Sequence, residues 1–124
     1  MNIYLAGGMK TGWQDRYIDR FKNFNFIDPR SHGLTDEKEY TGWDLDGIRR
    51  SDLVIAYMDT LNPSGFGLSL EVGFAKALNI PIHYVCEDNI DTRQIYFGMV
   101  RACATKVFFD IEDSFELLET YKEL

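Results

Sequence analysis

Two acidic segments of the sequence carry side chains that could act together on a glycosidic bond. Glu71 follows a loop rich in glycine, proline and serine, Pro63–Gly67, which comes after an apolar segment ending at Met58. We expect a helix to begin after this loop and to carry Glu71 in its first turn, where the positive helix end favours the ionised carboxylate. An ionised, positioned carboxylate is a candidate nucleophile, and the alternative is a glutamate that only caps the helix.

The second acidic segment is Trp43–Asp52, in which Asp44 and Ile48 are four residues apart. This spacing places both side chains on one helical face, so Asp44 is expected near the start of a helix that packs through Ile48. The neighbouring Asp46 fits a solvated face of the same helix. Two carboxylates at one sheet edge are what glycosyl transfer requires, because one attacks the anomeric carbon and the other handles the proton of the leaving group.

A glycine-containing segment, Gly7–Gly12, directly follows the first apolar segment. Glycines allow the backbone to approach a ligand closely and expose N–H groups at a helix start, as an anion site needs. The segment matches neither the dinucleotide-binding GxGxxG pattern nor the P-loop pattern, so neither of these sites is supported. The alternative interpretation is a plain tight turn.

Short apolar segments alternate with amphipathic ones along the chain, which is typical of βα units on a parallel sheet. The predicted strands are Asn2–Ala6, Asn25–Ile27, Leu53–Met58, Ile80–Cys86 and Lys106–Phe109. The predicted helices are Trp13–Asn23, Trp43–Arg50, Leu68–Leu78, Thr92–Ala102 and Ser114–Glu123. The pattern predicts one domain over residues 1–124, an α/β fold with a flavodoxin-like open parallel five-stranded sheet and helices on both faces. Ligands of such sheets bind beyond the carboxyl ends of the strands, which directs attention to loops 7–12, 28–41, 59–69 and 87–91.

Composition limits the class of protein. Of the 124 residues, 45% are hydrophobic and 27% charged, which excludes disordered, collagen-like and coiled-coil proteins. The net charge of −7 argues against a generic nucleic-acid binder, because such binding needs clustered lysine and arginine. The longest strongly apolar run, Leu53–Met58, is too short to span a bilayer, and the N-terminus lacks a basic leader. We therefore expect a cytoplasmic protein with neither a nucleic-acid nor a membrane partner.

The cysteines and histidines do not predict a metal site. Cys86 and Cys103 form no CxxC motif, which excludes zinc ribbons and disulfide scaffolds and fits a reducing compartment. His32 and His83 are far apart in sequence and are interpreted as surface or core-edge residues.

Taken together, these segments resemble the nucleoside 2-deoxyribosyltransferase family, which includes deoxynucleoside 5'-monophosphate N-glycosidases. The matching residues are Tyr4–Gly7, Trp43–Leu45, Ile48, Ser51–Ala56, Pro63–Gly65 and Leu70–Leu78. The resemblance extends from the first predicted strand to the fourth. Its most specific part is the combination of a D-L-x-x-I-x-x-S-D block with an E-x-G-x-A-x-A-L helix.

The resemblance implies a role for each residue of a catalytic group. Glu71 lies where the family has its nucleophile, which forms a covalent 2-deoxyribosyl-enzyme as the base departs. Asp44 lies at the aspartate that protonates the leaving base and deprotonates the incoming one. Tyr4 matches the tyrosine whose hydroxyl holds the nucleophile, and Met99 matches the methionine that packs beside the sugar.

Substrate-binding residues are implied in the same way. Gly7, Gly8, Ser64 and Gly65 lie where the phosphate-binding relatives hold a 5'-phosphate, and Lys10 is the cation nearby in sequence. Those relatives carry an arginine in the first glycine loop, and the transferases often carry an aspartate shortly before the nucleophile; this sequence departs from both patterns. The candidates for stacking on the base, each of which has a core residue as its alternative, are Trp13, Trp43 and Phe66.

The resemblance implies transfer of a 2-deoxyribosyl group between nucleobases of 2'-deoxynucleosides, with retention of configuration, without a metal or organic cofactor, and a place in purine and pyrimidine salvage. Expected partners are deoxynucleosides or their monophosphates, free nucleobases and further copies of the chain in a homodimer or larger homo-oligomer. The missing arginine and the acidic charge favour free deoxynucleosides. The alternatives are a deoxynucleoside 5'-monophosphate N-glycosidase and a non-catalytic nucleotide-binding module, although a pure binder has no use for two carboxylates.

Overall fold

The computed structural model describes residues 1–121. Within these residues the strands of one parallel sheet are β1 (Asn2–Gly7), β2 (Asn25–Ile27), β3 (Leu53–Met58), β4 (Ile82–Cys86) and β5 (Lys106–Phe108). Their spatial order is β2–β1–β3–β4–β5, and each neighbouring pair is parallel. This is the strand order of flavodoxin-like sheets, so the predicted fold class is confirmed.

Helices cover both faces of the sheet. They are α1 (Trp13–Arg20), α2 (Glu37–Arg49), α3 (Phe66–Ala77), α4 (Asp91–Gln94), α5 (Gly98–Cys103) and α6 (Ile111–Glu119). One core lies between the sheet and α2, α3 and α5, and it contains Ile48, Val72 and Val100. The other core lies under α1 and α6 and contains Tyr17 and Phe115. Among the described residues, no helix is long and apolar enough to cross a membrane.

The strands agree with the prediction to within two residues. β2 and β3 have the predicted bounds, β1 includes Gly7, and β5 ends one residue early at Phe108. β4 begins at Ile82 instead of Ile80 because Pro81 has no N–H to donate to the sheet.

Helix α2 begins at Glu37, six residues before the predicted start at Trp43. The side chain of Asp36 accepts a hydrogen bond from the backbone N–H of Glu39 at 3.0 Å and caps the helix. The earlier start places Asp44 eighth in the helix, in its middle and not near its beginning.

Helix α3 begins at Phe66, two residues before the predicted start at Leu68. Gly65 supplies the turn before it with a φ of 78°, a left-handed conformation that favours glycine. A Cβ at this position would lie 2.6 Å from Cζ of Phe97, so the site also lacks room for a side chain. Glu71 is consequently the sixth residue of α3 and lies in its second turn.

The single helix predicted over Thr92–Ala102 is divided into α4, a 3-10 turn at Ile95–Phe97, and α5. The turn directs Phe97 into the core, where it is 4% exposed. Ile95 and Tyr96 remain outside, 76% and 84% exposed. The tighter 3-10 geometry therefore separates one buried side chain from two exposed ones.

The first and last helices also differ from the prediction in their bounds. α1 ends at Arg20, three residues early. α6 begins at Ile111, three residues early, because the side chain of Asp110 caps it. The predicted apolar stripe is present, since Phe115 and Leu118 are buried. Residues 122–123 of the predicted helix lie outside the described part of the chain.

Candidate active site

Tyr4 holds the carboxylate of Glu71 against the sheet. Tyr4 lies on β1 and is fully buried, and its hydroxyl donates a hydrogen bond to Oε2 of Glu71. The ring fits under α2 because Gly47 has no side chain; a Cβ there would lie 3.1 Å from Cε2 of Tyr4. The structure thus joins two of the three candidate catalytic residues across 67 positions of sequence.

The surroundings of Glu71 favour its protonated form. Burial raises the pKa of Glu71 to about 7, the hydrogen bond from Tyr4 lowers it, and the charge of Asp44 raises it. The expectation that the helix start keeps Glu71 ionised is wrong, because the residue lies in the second turn and burial dominates. Burial and the neighbouring Glu71 raise the pKa of Tyr4 far above its usual range, so the Tyr4 hydroxyl remains a donor.

Asp44 and Glu71 line one small pocket of about 130 Å³ between α2 and α3. The other lining residues are Tyr40, Thr41, Leu45, Gly67 and Leu70. Burial raises the pKa of Asp44, while the neighbouring His32 acts in the opposite direction. Burial thus raises the pKa of both acids; in such a pair the protonated carboxyl group can serve as a general acid and the ionised one as a nucleophile. The pocket therefore holds two carboxylic acids, the kind of side chain that retaining glycosyl transfer uses as nucleophile and general acid.

His32 approaches Asp44 from the loop after β2, and sequence reasoning missed it. Its Nε2 lies 3.3 Å from Oδ1 of Asp44, and its ring packs edge-on to Trp43 with a centroid distance of 4.9 Å. No motif surrounds this histidine in the sequence. The available signal was its place in loop 28–41, which follows the carboxyl end of a predicted strand.

The two loops expected to hold a 5'-phosphate lie side by side. Oγ1 of Thr11 in the first loop donates to Oδ2 of Asp59 in the second at 3.1 Å. Gly7 ends β1, and the carbonyl of Gly8 accepts a hydrogen bond from Nε1 of Trp13 at 2.9 Å. Lys10 is exposed in the same loop.

Three backbone donors at the end of the second loop, the N–H groups of Ser64, Gly65 and Phe66, are already engaged. Oδ1 of Asn62 accepts hydrogen bonds from the N–H groups of Ser64 and Gly65, at 3.2 and 3.0 Å. The hydroxyl of Ser64 accepts from the N–H of Phe66 at 3.4 Å. A phosphate would have to replace these internal contacts, so the loop in this conformation is not an open anion site.

Arg93 of α4 fixes the loop between β3 and α3. Its guanidinium donates to the carbonyl oxygens of Asp59, at 3.0 Å, and Asn62, and pairs with Asp88 at 2.8 Å. These contacts hold the segment that leads into the helix of Glu71.

Trp13 is not available for stacking on a base. It is 1% exposed and stacks on Tyr57 at a centroid distance of 4.8 Å, in the core under α1. This core lies on the face of the sheet opposite to Glu71, so the interpretation of Trp13 as a binding residue is wrong and its core alternative is correct.

The other three candidates for contact with the base or sugar differ in their exposure to solvent. Trp43 is partly buried, while Phe66 and Met99 are 82% and 84% exposed. Met99 lines a depression between α3 and α5 with Val72 and Gly73, and not the pocket that contains the two carboxylates. A single chain thus does not bring Met99 to that pocket. Within residues 1–121, no group of three His, Cys, Asp or Glu side chains is arranged to hold a metal ion.

Fold and pocket together define a class, flavodoxin-like α/β proteins with paired carboxylic acids beside the sheet. The sequence model of the nucleoside 2-deoxyribosyltransferase family matches residues 3–106, and the chain belongs to this family. No curated protein matches the sequence significantly. Family membership supports an activity on N-glycosidic bonds, either deoxyribosyl transfer or hydrolysis.

Solved structures show the same fold. A 2-deoxyribosyltransferase from the psychrotolerant bacterium Bacillus psychrosaccharolyticus is 18% identical, with a TM-score of 0.69 over 92% of this chain and 90% of that chain. A CMP N-glycosidase from Clostridium botulinum is 19% identical, with a TM-score of 0.63 over 98% and 100%. A 2-deoxyribosyltransferase from Leishmania mexicana is 21% identical, with a TM-score of 0.61 over 70% and 65%.

Proposed function

We propose that this chain transfers the 2-deoxyribosyl group between nucleobases of 2'-deoxynucleosides through a covalent glycosyl–Glu71 intermediate. One observation carries the proposal: Glu71, held by the hydroxyl of Tyr4, and Asp44 line the same pocket. A non-catalytic nucleotide-binding module would gain nothing from burying two carboxylic acids together, because their burial costs free energy.

The reaction proceeds in two displacements at C1' of the sugar. Ionised Glu71 attacks C1' while Asp44 donates its proton to the departing base, and the C1'–N bonding pair leaves with the base. Ionised Asp44 then removes a proton from the incoming base, whose nitrogen attacks C1' and releases Glu71. Two inversions retain the configuration. Tyr4 donates to the Glu71 carboxylate whenever it is free and keeps it oriented.

A second copy of the chain is proposed to complete the site. The pocket of about 130 Å³ is smaller than the roughly 300–1,000 Å³ of typical ligand sites. Leu70, 59% exposed, lines the pocket, Phe66 at the start of α3 is 82% exposed, and Met99 of α5 is 84% exposed. Light scattering should show a homodimer or larger assembly that Met99→Asp weakens, with Phe109→Asp, after β5, as the exposed apolar control. A monomeric and fully active wild type would contradict this proposal.

Hydrolysis of deoxynucleoside 5'-monophosphates is the second candidate. The observation in its favour is that the loop containing Lys10 and the loop containing Ser64 lie side by side, bridged by Thr11 and Asp59. The engaged N–H groups of Ser64 and Gly65 favour the free nucleoside.

One assay separates these activities. The protein is incubated with deoxyadenosine, deoxyuridine or their 5'-monophosphates, with and without a second nucleobase, and the products are separated by chromatography. Transfer predicts a new deoxynucleoside only when the second base is present, whereas hydrolysis of a monophosphate predicts 2-deoxyribose 5-phosphate and the free base in both cases. No product from any deoxynucleoside or monophosphate would refute the proposed function.

A further inference from the structure

His32 lies on a loop that is fixed before any ligand arrives. Oδ1 of Asp28 accepts a hydrogen bond from the N–H of Arg30 at 3.0 Å, and the two side chains pair at 2.8 Å. The guanidinium of Arg30 also reaches Asp15 of α1 at 2.8 Å. These contacts tie the short turn Pro29–Ser31, which ends next to His32, to the body of the protein.

The ring of His32 has a defined tautomer. Its Nδ1 lies 2.8 Å from the backbone N–H of Leu34 and accepts a hydrogen bond from it. An N–H group only donates, so Nδ1 carries the lone pair and the neutral ring carries its proton on Nε2. The edge-on contact with Trp43 fixes the plane of the ring.

The protonated Nε2 faces Asp44 at 3.3 Å from Oδ1. Oδ1 is buried, and within residues 1–121 it makes no hydrogen bond of full geometry. The separation is long for a hydrogen bond, and such contacts in ligand-free sites often shorten when substrate binds. His32 is therefore the group available to satisfy this buried oxygen.

We propose that His32 is a positioning residue for Asp44, whose Oδ1 it holds through Nε2–H so that Oδ2 presents the proton to the leaving base. This inference rests on the proposed function. As the glycosidic bond breaks, the proton moves from Oδ2 to the base nitrogen, and Nε2–H, which keeps its own proton, stabilises the charge left on Asp44. The opposing effects of burial and of His32 on the pKa of Asp44 agree with this arrangement.

His32→Gln and His32→Leu form a matched pair, because the glutamine amide can donate to Asp44 and leucine cannot. With deoxyadenosine, His32→Leu should lower kcat about tenfold or more with little change in KM, and His32→Gln should keep most of the rate. In single turnovers without a second nucleobase, N7-methyl-2'-deoxyguanosine, whose base leaves without a proton, should lose its base as fast in both variants as in the wild type. Equal losses with both substrates, or a glutamine variant as slow as the leucine variant, would overturn the inference.

A double-mutant cycle tests the link to Asp44 directly. In an Asp44→Asn background, His32→Leu should cause no further loss with deoxyadenosine, since the group it positions is gone. Losses that multiply would mean that His32 acts elsewhere. Thermal melts of each variant establish that the protein is folded.

Nitrogen-15 NMR of the histidine rings distinguishes a failure of this inference from a failure of the proposed function. The wild type at pH 8 should show His32 with its proton on Nε2. A proton on Nδ1 in an active enzyme would overturn the role of His32 alone. A proton on Nε2 in an enzyme that acts on no deoxynucleoside would overturn the proposed function instead.

Discussion

At the residue scale, the site depends on opposing effects on the pKa values of two partly buried acids. Burial raises the pKa of Glu71 to about 7, and the Tyr4 hydroxyl partly offsets this by favouring the ionised carboxylate. Burial also raises the pKa of Asp44, and His32 opposes this effect. A retaining reaction needs one acid ionised and the other protonated at the same time. The Tyr4 hydroxyl acts on the pKa of Glu71 and the His32 imidazole acts on the pKa of Asp44, so the two values are adjusted separately.

Replacing Glu71 with glutamine should lower turnover by at least about 10³-fold, because an amide cannot form the glycosyl ester. The product assay described above measures this loss. Near wild-type turnover would exclude the covalent mechanism. Glu116→Gln, at an exposed position of α6, is the control.

The same Glu71→Gln variant should be more stable than the wild type at pH 8. The folded pKa of about 7 exceeds the ordinary 4.5, so the stability that Glu71 contributes is complete below pH 4.5 and is lost as pH rises through 7. Glutamine does not titrate, so the gain in Tm should shrink towards pH 4.5. A gain independent of pH would contradict the raised pKa.

Tyr4→Phe should move the acidic limb of the pH dependence of kcat/KM to higher pH. Loss of the hydroxyl removes the hydrogen bond that lowers the pKa of Glu71, so a higher pH is needed to ionise the nucleophile. Tyr17→Phe is a matched control, because it removes a buried hydroxyl bonded to Ser114 at 2.9 Å in the other core. A limb that stays in place in Tyr4→Phe, or moves equally in Tyr17→Phe, would count against the assignment.

At the scale of elements, the position of Glu71, the proposed nucleophile, depends on how α3 begins. Gly65 provides the left-handed turn, Phe97 packs against it, and Arg93 holds the preceding loop from α4. The start of α3, and with it the position of Glu71, therefore depends on Arg93 and Phe97, which are distant from it in sequence.

Gly65→Ala should lower the free energy of unfolding by about 2 kcal/mol, since its Cβ would strain the backbone and lie 2.6 Å from Phe97. Gly73→Ala in the same helix is the control. No atom lies within 4 Å of a Cβ at Gly73, so this change should stabilise the helix by about 0.5–1 kcal/mol. Urea denaturation measures both; similar values for the two variants would contradict the steric argument.

The sequence predicts the strands of this fold well because buried parallel strands are continuous apolar segments, as in Leu53–Met58. Helix starts were predicted less well. α2 begins through the cap at Asp36, which lies outside the apolar periodicity used to predict it. The contact between Asp44 on α2 and His32 on the loop after β2 forms through space, and no spacing in the sequence encodes it. Trp13 was misassigned because an aromatic residue beside a glycine loop fits a core and a binding site equally.

At the scale of the whole molecule, charge and loop geometry both act on the 5' end of a substrate. The chain carries a net charge of −7, which disfavours a dianion. Asn62 occupies the loop N–H groups that a phosphate would need, and Lys10 is an exposed cation that a bound phosphate could approach.

Deoxyadenosine should therefore have a higher kcat/KM than its 5'-monophosphate. Steady-state kinetics with both substrates at one ionic strength measures the ratio. A monophosphate preferred by about tenfold, with the preference lost in Ser64→Ala or Lys10→Ala, would reverse the assignment in favour of the nucleotide N-glycosidase.

The two outer strands of the sheet are its shortest, three residues each, and β5 carries Lys106. Short edge strands leave few unpaired backbone groups on which a foreign strand could add. The charge of an edge lysine opposes such addition as well. Fibril growth through the sheet is thus disfavoured, and concentrated solutions of the folded protein should not seed amyloid.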